Sequence, residues 1–206
     1  DAVLIRNSFQ EEITPFQNAV PAFDLFPFRL WNKIAARQYR ELKEQHLGYG
    51  DAYGYAPLRE SIASYLRSAR GVKCNSSQVL IINGTQQGLS LCSHVFLGKG
   101  DEVLLEDPGY LGARAAFINY GAQIKPVPVQ TDGIDVDYLK KHCKKAKLIY
   151  ITPAHQYPLG GTLSLNKRME LLKWAGQCNT WIIEDDYDSE LRYTGRPLAA
   201  LQGLGS

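Results

Sequence analysis

The sequence predicts an α/β fold, a mainly parallel sheet with helices on both faces. Three observations predict it. From Gln78 onward, short β-branched and aromatic runs alternate with longer amphipathic stretches. Their spacing is that of strand–helix–strand crossover units. The loops that leave the strands carry the turn formers and the unusual polar residues, as expected where ligands sit beyond the carboxyl ends of the strands.

Taken in order, "PFRLWNKIAARQYRELKEQH" (27–46) repeats Leu30, Ile34, Tyr39 and Leu42 at helical spacing and predicts a helix ended by Gly48. The stretch "LGYGDAYGYAP" (47–57) has glycines and tyrosines without periodicity, so it predicts a loop. "LRESIASYLRSARG" (58–71) predicts an amphipathic helix closed by Gly71. Strands are then expected at "VLIIN" (79–83), "EVLLED" (102–107), "QIKPVPV" (123–129), "KLIYIT" (147–152) and "TWIIED" (180–185). Between them, helices are expected at 85–97, 110–121, 135–146 and 166–178. Pro126 and Pro128 place the third strand at an edge or in an irregular segment. The division expected is an N-terminal arm and helix over 1–47 and one larger domain over 48–206.

Composition narrows the function classes. With 45% hydrophobic and 21% charged residues and a formal net charge of +2, the chain is an ordinary globular one with no global field for nucleic acid. The lysine run "LKKHCKKAK" (139–147) reads as a solvated helix face. Cys74, Cys92, Cys143 and Cys178 stand far apart without a C-x-x-C pair, which suits free thiols in a reducing compartment. No long uncharged apolar run and no signal-peptide pattern occurs, so the expectation is a cytoplasmic protein with no membrane partner. The chain starts at Asp1 and stops at "LQGLGS", and is expected to be a piece of a longer protein.

Four strand-end loops hold the candidate chemistry. In "IINGTQQGL", Gly84 leads into a helix whose first turn offers free N–H groups, the Thr85 hydroxyl and the Gln86 amide, a ready anion site; the alternative is a tight turn. In "LLEDPGYLGAR", Pro108 and Gly109 deliver Tyr110 to a helix start, where it can stack on a flat ring or pack on the next helix. "ITPAHQYPLGGTLS" sets His155 and Gln156 among three kinds of turn former. "TWIIEDDYDSELRY" crowds Glu184, Asp185, Asp186, Asp188 and Glu190 around Tyr187. That knot reads as a divalent metal site, a solvated acidic loop, or a buried acid such as Asp185 paired with a protonated ring nitrogen, with Tyr187 donating to a ring oxygen. Jointly, the loops describe a phosphate, a flat ring, a ring cation and a ring oxygen, which are the features of pyridoxal 5'-phosphate.

With these residues the sequence resembles the large domain of the fold type I pyridoxal-phosphate enzymes, the aspartate aminotransferase superfamily. "YGDAYGYAPLRESIASYL", "EDPGY" and "TPAHQYPLG" carry the likeness, from about Pro27 to the end. A narrower likeness, in "TPAHQYPLG" and "IIEDDYDSE", is to the aminotransferase-like domain of MocR-type regulators in the GntR group. The resemblance implies a pyridoxal-phosphate-binding, effector-sensing domain that forms homodimers, with DNA bound only through a winged-helix domain absent from this chain. It implies Asp185 at the ring nitrogen, Tyr187 at the ring oxygen, Tyr110 on the ring face, and Gly84, Thr85 and Gln86 at the phosphate. His155 or Gln156 falls near the ring oxygen, and Tyr49 reaches the phosphate of a neighbouring subunit. The family's Schiff-base lysine lies one strand beyond the acidic motif, and no lysine follows Lys173. The domain is therefore expected to be incomplete at the C-terminus and not to transaminate as it stands. The alternative parent is a class I/II aminotransferase moving an amino group between an amino acid and a 2-oxo acid.

Overall fold

The computed structural model of the chain describes residues 20–191 and 198–205. Of the N-terminal arm and helix expected over 1–47, residues 1–19 lie outside them. The chain divides into two compact units, residues 3–52 and 53–206.

In the first unit, helix α1 runs from Phe28 to Glu41 and buries none of its residues. It ends earlier than its periodicity predicts. Leu42 turns to extended backbone (φ −63°, ψ 138°), and a separate 3-10 turn follows at Glu44–His46.

The second unit begins with α2 (Ala56–Arg70), which Gly71 closes in the left-handed conformation at φ +65°. The stretch expected as a strand, "VLIIN", forms none. Residues 79–82 run on without a ladder partner among the described residues, with Ile81 N–H donating to the Tyr53 carbonyl at 2.9 Å. Strand-like residues need a neighbouring strand before they make a sheet.

The alternation then holds: α3 (Thr85–Phe96), β1 (Glu102–Asp107), α4 (Leu111–Tyr120), β2 (Gln123–Gln130), β3 (Gly133–Ile134), α5 (Val136–His142), β4 (Leu148–Ile151), α6 (Leu165–Cys178), β5 (Trp181–Glu184) and α7 (Leu201–Leu204). The sheet order is β3-β2-β1-β4-β5. All pairs are parallel except β2 with the two-residue β3, which no periodicity could announce. Helix α5 stops at His142, short of the lysines expected to extend it.

Alternation along each strand makes two cores. Val103, Leu105, Leu148 and Tyr150 face α3 and α4, where they meet Leu89, Ala113 and Phe117. Leu104, Ile149 and Ile151 face the other way, onto Leu139, Leu171 and Trp174 of α5 and α6. Both faces of the sheet are thus covered, as a parallel sheet requires.

The proline strand pairs with β1 from Gln123 to Pro128 and meets β3 only at Val129 and Gln130, so along its prolines it is an edge, as the sequence predicts. Gln123 N–H points to β1, bonding the Asp101 carbonyl, whereas the Pro128 carbonyl accepts from Asp135 on the opposite flank. Pro126 and Pro128 share that outer flank, so neither removes a donor from the β1–β2 ladder.

Candidate functional site

The carboxyl ends of β1, β4 and β5 and the start of α3 bring the four loops together. Each loop is held by its own side chains and by those of the elements beside it.

At the start of α3, Gly84 takes φ +93°, ψ 172°, a conformation open mainly to glycine, and a Cβ there would meet nothing within 4 Å. Among the described residues no side chain caps this helix, which leaves its first N–H groups without a capping acceptor, and Thr85 and Gln86 are exposed. Gln86 Nε2 donates to Tyr110 Oη at 3.1 Å, which ties the helix start to the tyrosine after β1. Gly112 permits this approach. A Cβ there would stand against the Tyr110 phenol and 2.6 Å from Gln86 Nε2.

The loop after β4 is held by a buried network. Glu106, on β1, is 6% exposed and accepts from both the N–H (3.1 Å) and the hydroxyl (2.7 Å) of Thr152. Burial pushes its carboxyl up from the usual carboxylate range. Thr152 Oγ1 in turn accepts the Tyr157 N–H at 2.9 Å. Arg168 of α6, 2% exposed, clamps the loop from behind by donating to the carbonyls of Pro153, Leu163 and Ala199, each at 2.8 Å.

Within that loop His155 and Gln156 part company. Gln156 is 1% exposed, and its amide is spent on the Pro108 and Tyr157 carbonyls and the Leu159 N–H. His155 lies at the open side, its ring roughly parallel to that of Tyr187, with centroids 6.0 Å apart. Tyr157, which the sequence reading passed over, stands edge-on to both Tyr110 (6.0 Å) and Tyr187 (6.1 Å). It joins the floor of the site to its wall.

The acidic knot after β5 resolves into separate pairings. Glu184 Oε2 accepts the Leu201 N–H at 2.8 Å, and Glu190 accepts the Tyr65 hydroxyl at 2.8 Å. Asp186 lies 2.6 Å from Arg70 Nη2, and Asp188 lies 2.5 Å from His155 Nδ1. Asp185 accepts only from Tyr150 Oη of β4, at 2.5 Å, among the described residues. Burial pushes the Asp185 carboxyl up, the Tyr150 bond opposing it, and burial also pushes the Tyr150 phenol up. Tyr150 is the second residue the sequence reading missed. Its only signal was a phenol inside a buried strand, which must find a partner.

These carboxylates are paired separately, and no metal-ligating cluster occurs among the described residues. No helix among them is long and apolar enough to cross a membrane. Tyr49 is exposed and belongs to the first unit.

What the arrangement offers is a donor-rich helix start, an aromatic face, and one half-buried carboxylate with an oxygen to spare. An elongated ligand with an anionic group at one end and a ring cation at the other matches that order of donors.

Comparison with known proteins covers most of the chain. The chain is 38% identical over 189 residues to the "Probable rhizopine catabolism regulatory protein MocR" of Rhizobium meliloti, covering 92% of this chain and 38% of that protein. It is 31% identical to aromatic-amino-acid aminotransferase 1 of Thermococcus litoralis, over 93% of this chain and 48% of the enzyme. Among solved structures, LysN, the alpha-aminoadipate aminotransferase of Thermus thermophilus complexed with N-(5'-phosphopyridoxyl)-L-leucine, superposes with a TM-score of 0.82 at 36% identity. That match spans 92% of this chain and 48% of LysN. The chain therefore spans less than half the length of these relatives. Residues 19–191 match the family aminotransferase class I and II, and the chain belongs to that family.

Proposed function

We propose that this chain is the pyridoxal-phosphate-binding, effector-sensing domain of a MocR-type transcription regulator. The observation that carries the cofactor is Asp185. Its carboxylate is half-buried, held among the described residues by a single phenol, and stands on the same strand-end face as Tyr110 and the start of α3. A buried acid with a free oxygen and a raised pKa is relieved by a ring cation.

The residues fit the group. Gly84, Thr85 and Gln86 hold the phosphate through N–H, hydroxyl and amide donors, and Tyr110 lies against the ring. Asp185 keeps the proton on the ring nitrogen, and Tyr187 donates to the ring oxygen. His155 stands beside Tyr187, whereas Gln156 serves by holding the loop. Tyr49 reaches phosphate bound in a second copy of the chain, which makes the assembly a homodimer. When bound, the cofactor supplies an aldehyde that condenses with amines and a ring that withdraws electrons. An amino compound is thus the effector class that the site would sense.

The regulator assignment is supported by the identity to MocR and by the D-x-Y spacing of Asp185 and Tyr187. In that assignment DNA is bound by a separate winged-helix domain of a cytoplasmic parent. A second reading, a domain of an amino-acid aminotransferase, is favoured by the likeness to LysN. Titration of the chain with pyridoxal phosphate, followed by absorbance and melting temperature, tests the cofactor, since a ligand of the folded state must raise the melting temperature. An unchanged spectrum and melting temperature at saturation would sink it. The intact mass and N-terminal sequence of the protein from its native cell separate the two parents: a basic winged-helix domain upstream of Asp1 supports the regulator, and a native Met close to Asp1 supports the enzyme.

A further inference from the structure

His155 turns one nitrogen toward two neighbours. Its Nδ1 lies 2.5 Å from Asp188 Oδ2 and 3.2 Å from Tyr187 Oη. A carboxylate can only accept, so the nitrogen at 2.5 Å from it carries a hydrogen. A nitrogen that carries a hydrogen cannot take another from a phenol. The Tyr187 hydroxyl is thereby left with its own proton to give elsewhere. Burial, and then the charge of Asp188, push the Tyr187 phenol up to about 12, so the proton stays on at neutral pH. On the far side of the imidazole, Nε2 faces Gly160, where an added Cβ would come within 3.4 Å.

We propose that Asp188 is a positioning residue: by fixing the hydrogen on His155 Nδ1, it turns the Tyr187 hydroxyl into the site, toward an acceptor oxygen on the ligand ring. The identity of that acceptor, the phenolic oxygen of a pyridoxal-type ring, rests on the cofactor reading above. The placement of the proton does not. In Asp188→Ala the constraint goes. The His155 hydrogen can then move to Nε2, and the bare Nδ1, 3.2 Å from Tyr187, draws the phenol proton away from the site. Asp188→Asn keeps a carbonyl oxygen that can accept from Nδ1, so it preserves the arrangement.

Two measurements on the full chain test this. Nitrogen-15 spectra of the ligand-free protein, with His155 assigned by His155→Gln, should show hydrogen on Nδ1 in the native chain and in Asp188→Asn, and on Nε2 in Asp188→Ala. Titration with pyridoxamine 5'-phosphate should then show Asp188→Ala and Tyr187→Phe each losing about tenfold in affinity, the value of one hydrogen bond to an ionisable oxygen. The double variant should lose no more than either single one, and Asp188→Asn should restore most of the affinity. A bare Nδ1 in the native chain, or losses that add in the double variant, would overturn the proposal. Failure of the native chain to bind pyridoxamine phosphate while Nδ1 carries its hydrogen would instead overturn the cofactor reading, and with it the ring-oxygen acceptor.

Discussion

Tyr150 and Asp185 meet across the parallel pair β4–β5, the phenol donating to the carboxylate at 2.5 Å from one strand beyond the end of the next. Because burial raises the Asp185 pKa, the folded chain holds this proton more tightly than the unfolded chain. Above the raised value Asp185 is ionised in both states, and its desolvation opposes folding. As the pH falls from the raised value toward the ordinary one, the folded state takes up the proton first and the cost is relieved. Asp185→Asn removes the charge and keeps an acceptor for Tyr150. We expect it to raise the melting temperature at neutral pH, by roughly 2–4 °C for each kcal/mol gained, with the gain shrinking toward acid pH. The same variant should lose pyridoxal phosphate. A gain that stayed constant across the acid range would show that Asp185 carries no such burden.

Asp185 and Asp188 are three residues apart and should not be equivalent. Asp185→Ala deletes a direct charged partner of the ring nitrogen, worth about 1.5–3 kcal/mol, or roughly ten- to a hundredfold in affinity. Asp188→Ala acts only through His155 and Tyr187 and should cost less. Equal losses in a calorimetric titration would remove Asp185 from its assigned place.

Thr152 has both a donor and an acceptor duty, toward Glu106 and the Tyr157 N–H. Thr152→Val keeps the shape but leaves both groups short of a bond. The expected cost is about 1–3 kcal/mol, read as a lower urea midpoint with an unchanged slope. Glu106→Gln, which still offers an oxygen to Thr152, should be milder. The reverse order would mean that the negative charge, rather than the hydrogen bonds, holds the loop.

Gly112→Ala separates binding from folding. The added Cβ meets the ends of two movable side chains, Tyr110 and Gln86, rather than backbone, so the fold can accommodate it by turning them aside. Pyridoxal phosphate affinity should fall severalfold, as for a misplaced stacking ring, while the melting temperature changes little. Unchanged affinity would mean that Tyr110 does not need its present position.

The layered alternation was legible because strands buried on two faces and helices buried on one have different periods, as 102–107 and 165–178 show. Gly84, Tyr110, Asp185 and Tyr187 could be picked out because turn formers and clustered charge mark strand ends. Tyr150 could not, since its partner stands 35 residues away and only the β4–β5 register brings them together. Tyr157 was hidden beside a more conspicuous His-Gln pair, whose glutamine turned inward. The expected strand at 79–83 failed for a related reason: residue type sets a preference for extended backbone, but pairing belongs to the tertiary structure.

Pro126 and Pro128 give the sheet a direction of growth. The flank of β2 that they occupy lacks two of the N–H groups that another strand would need, and the short β3 occupies the rest of its end. β5 has no such safeguard, and among the described residues it pairs only with β4. Any strand added to this sheet, whether from the same polypeptide or from another copy, is therefore steered to the β5 edge, immediately beside the acidic loop.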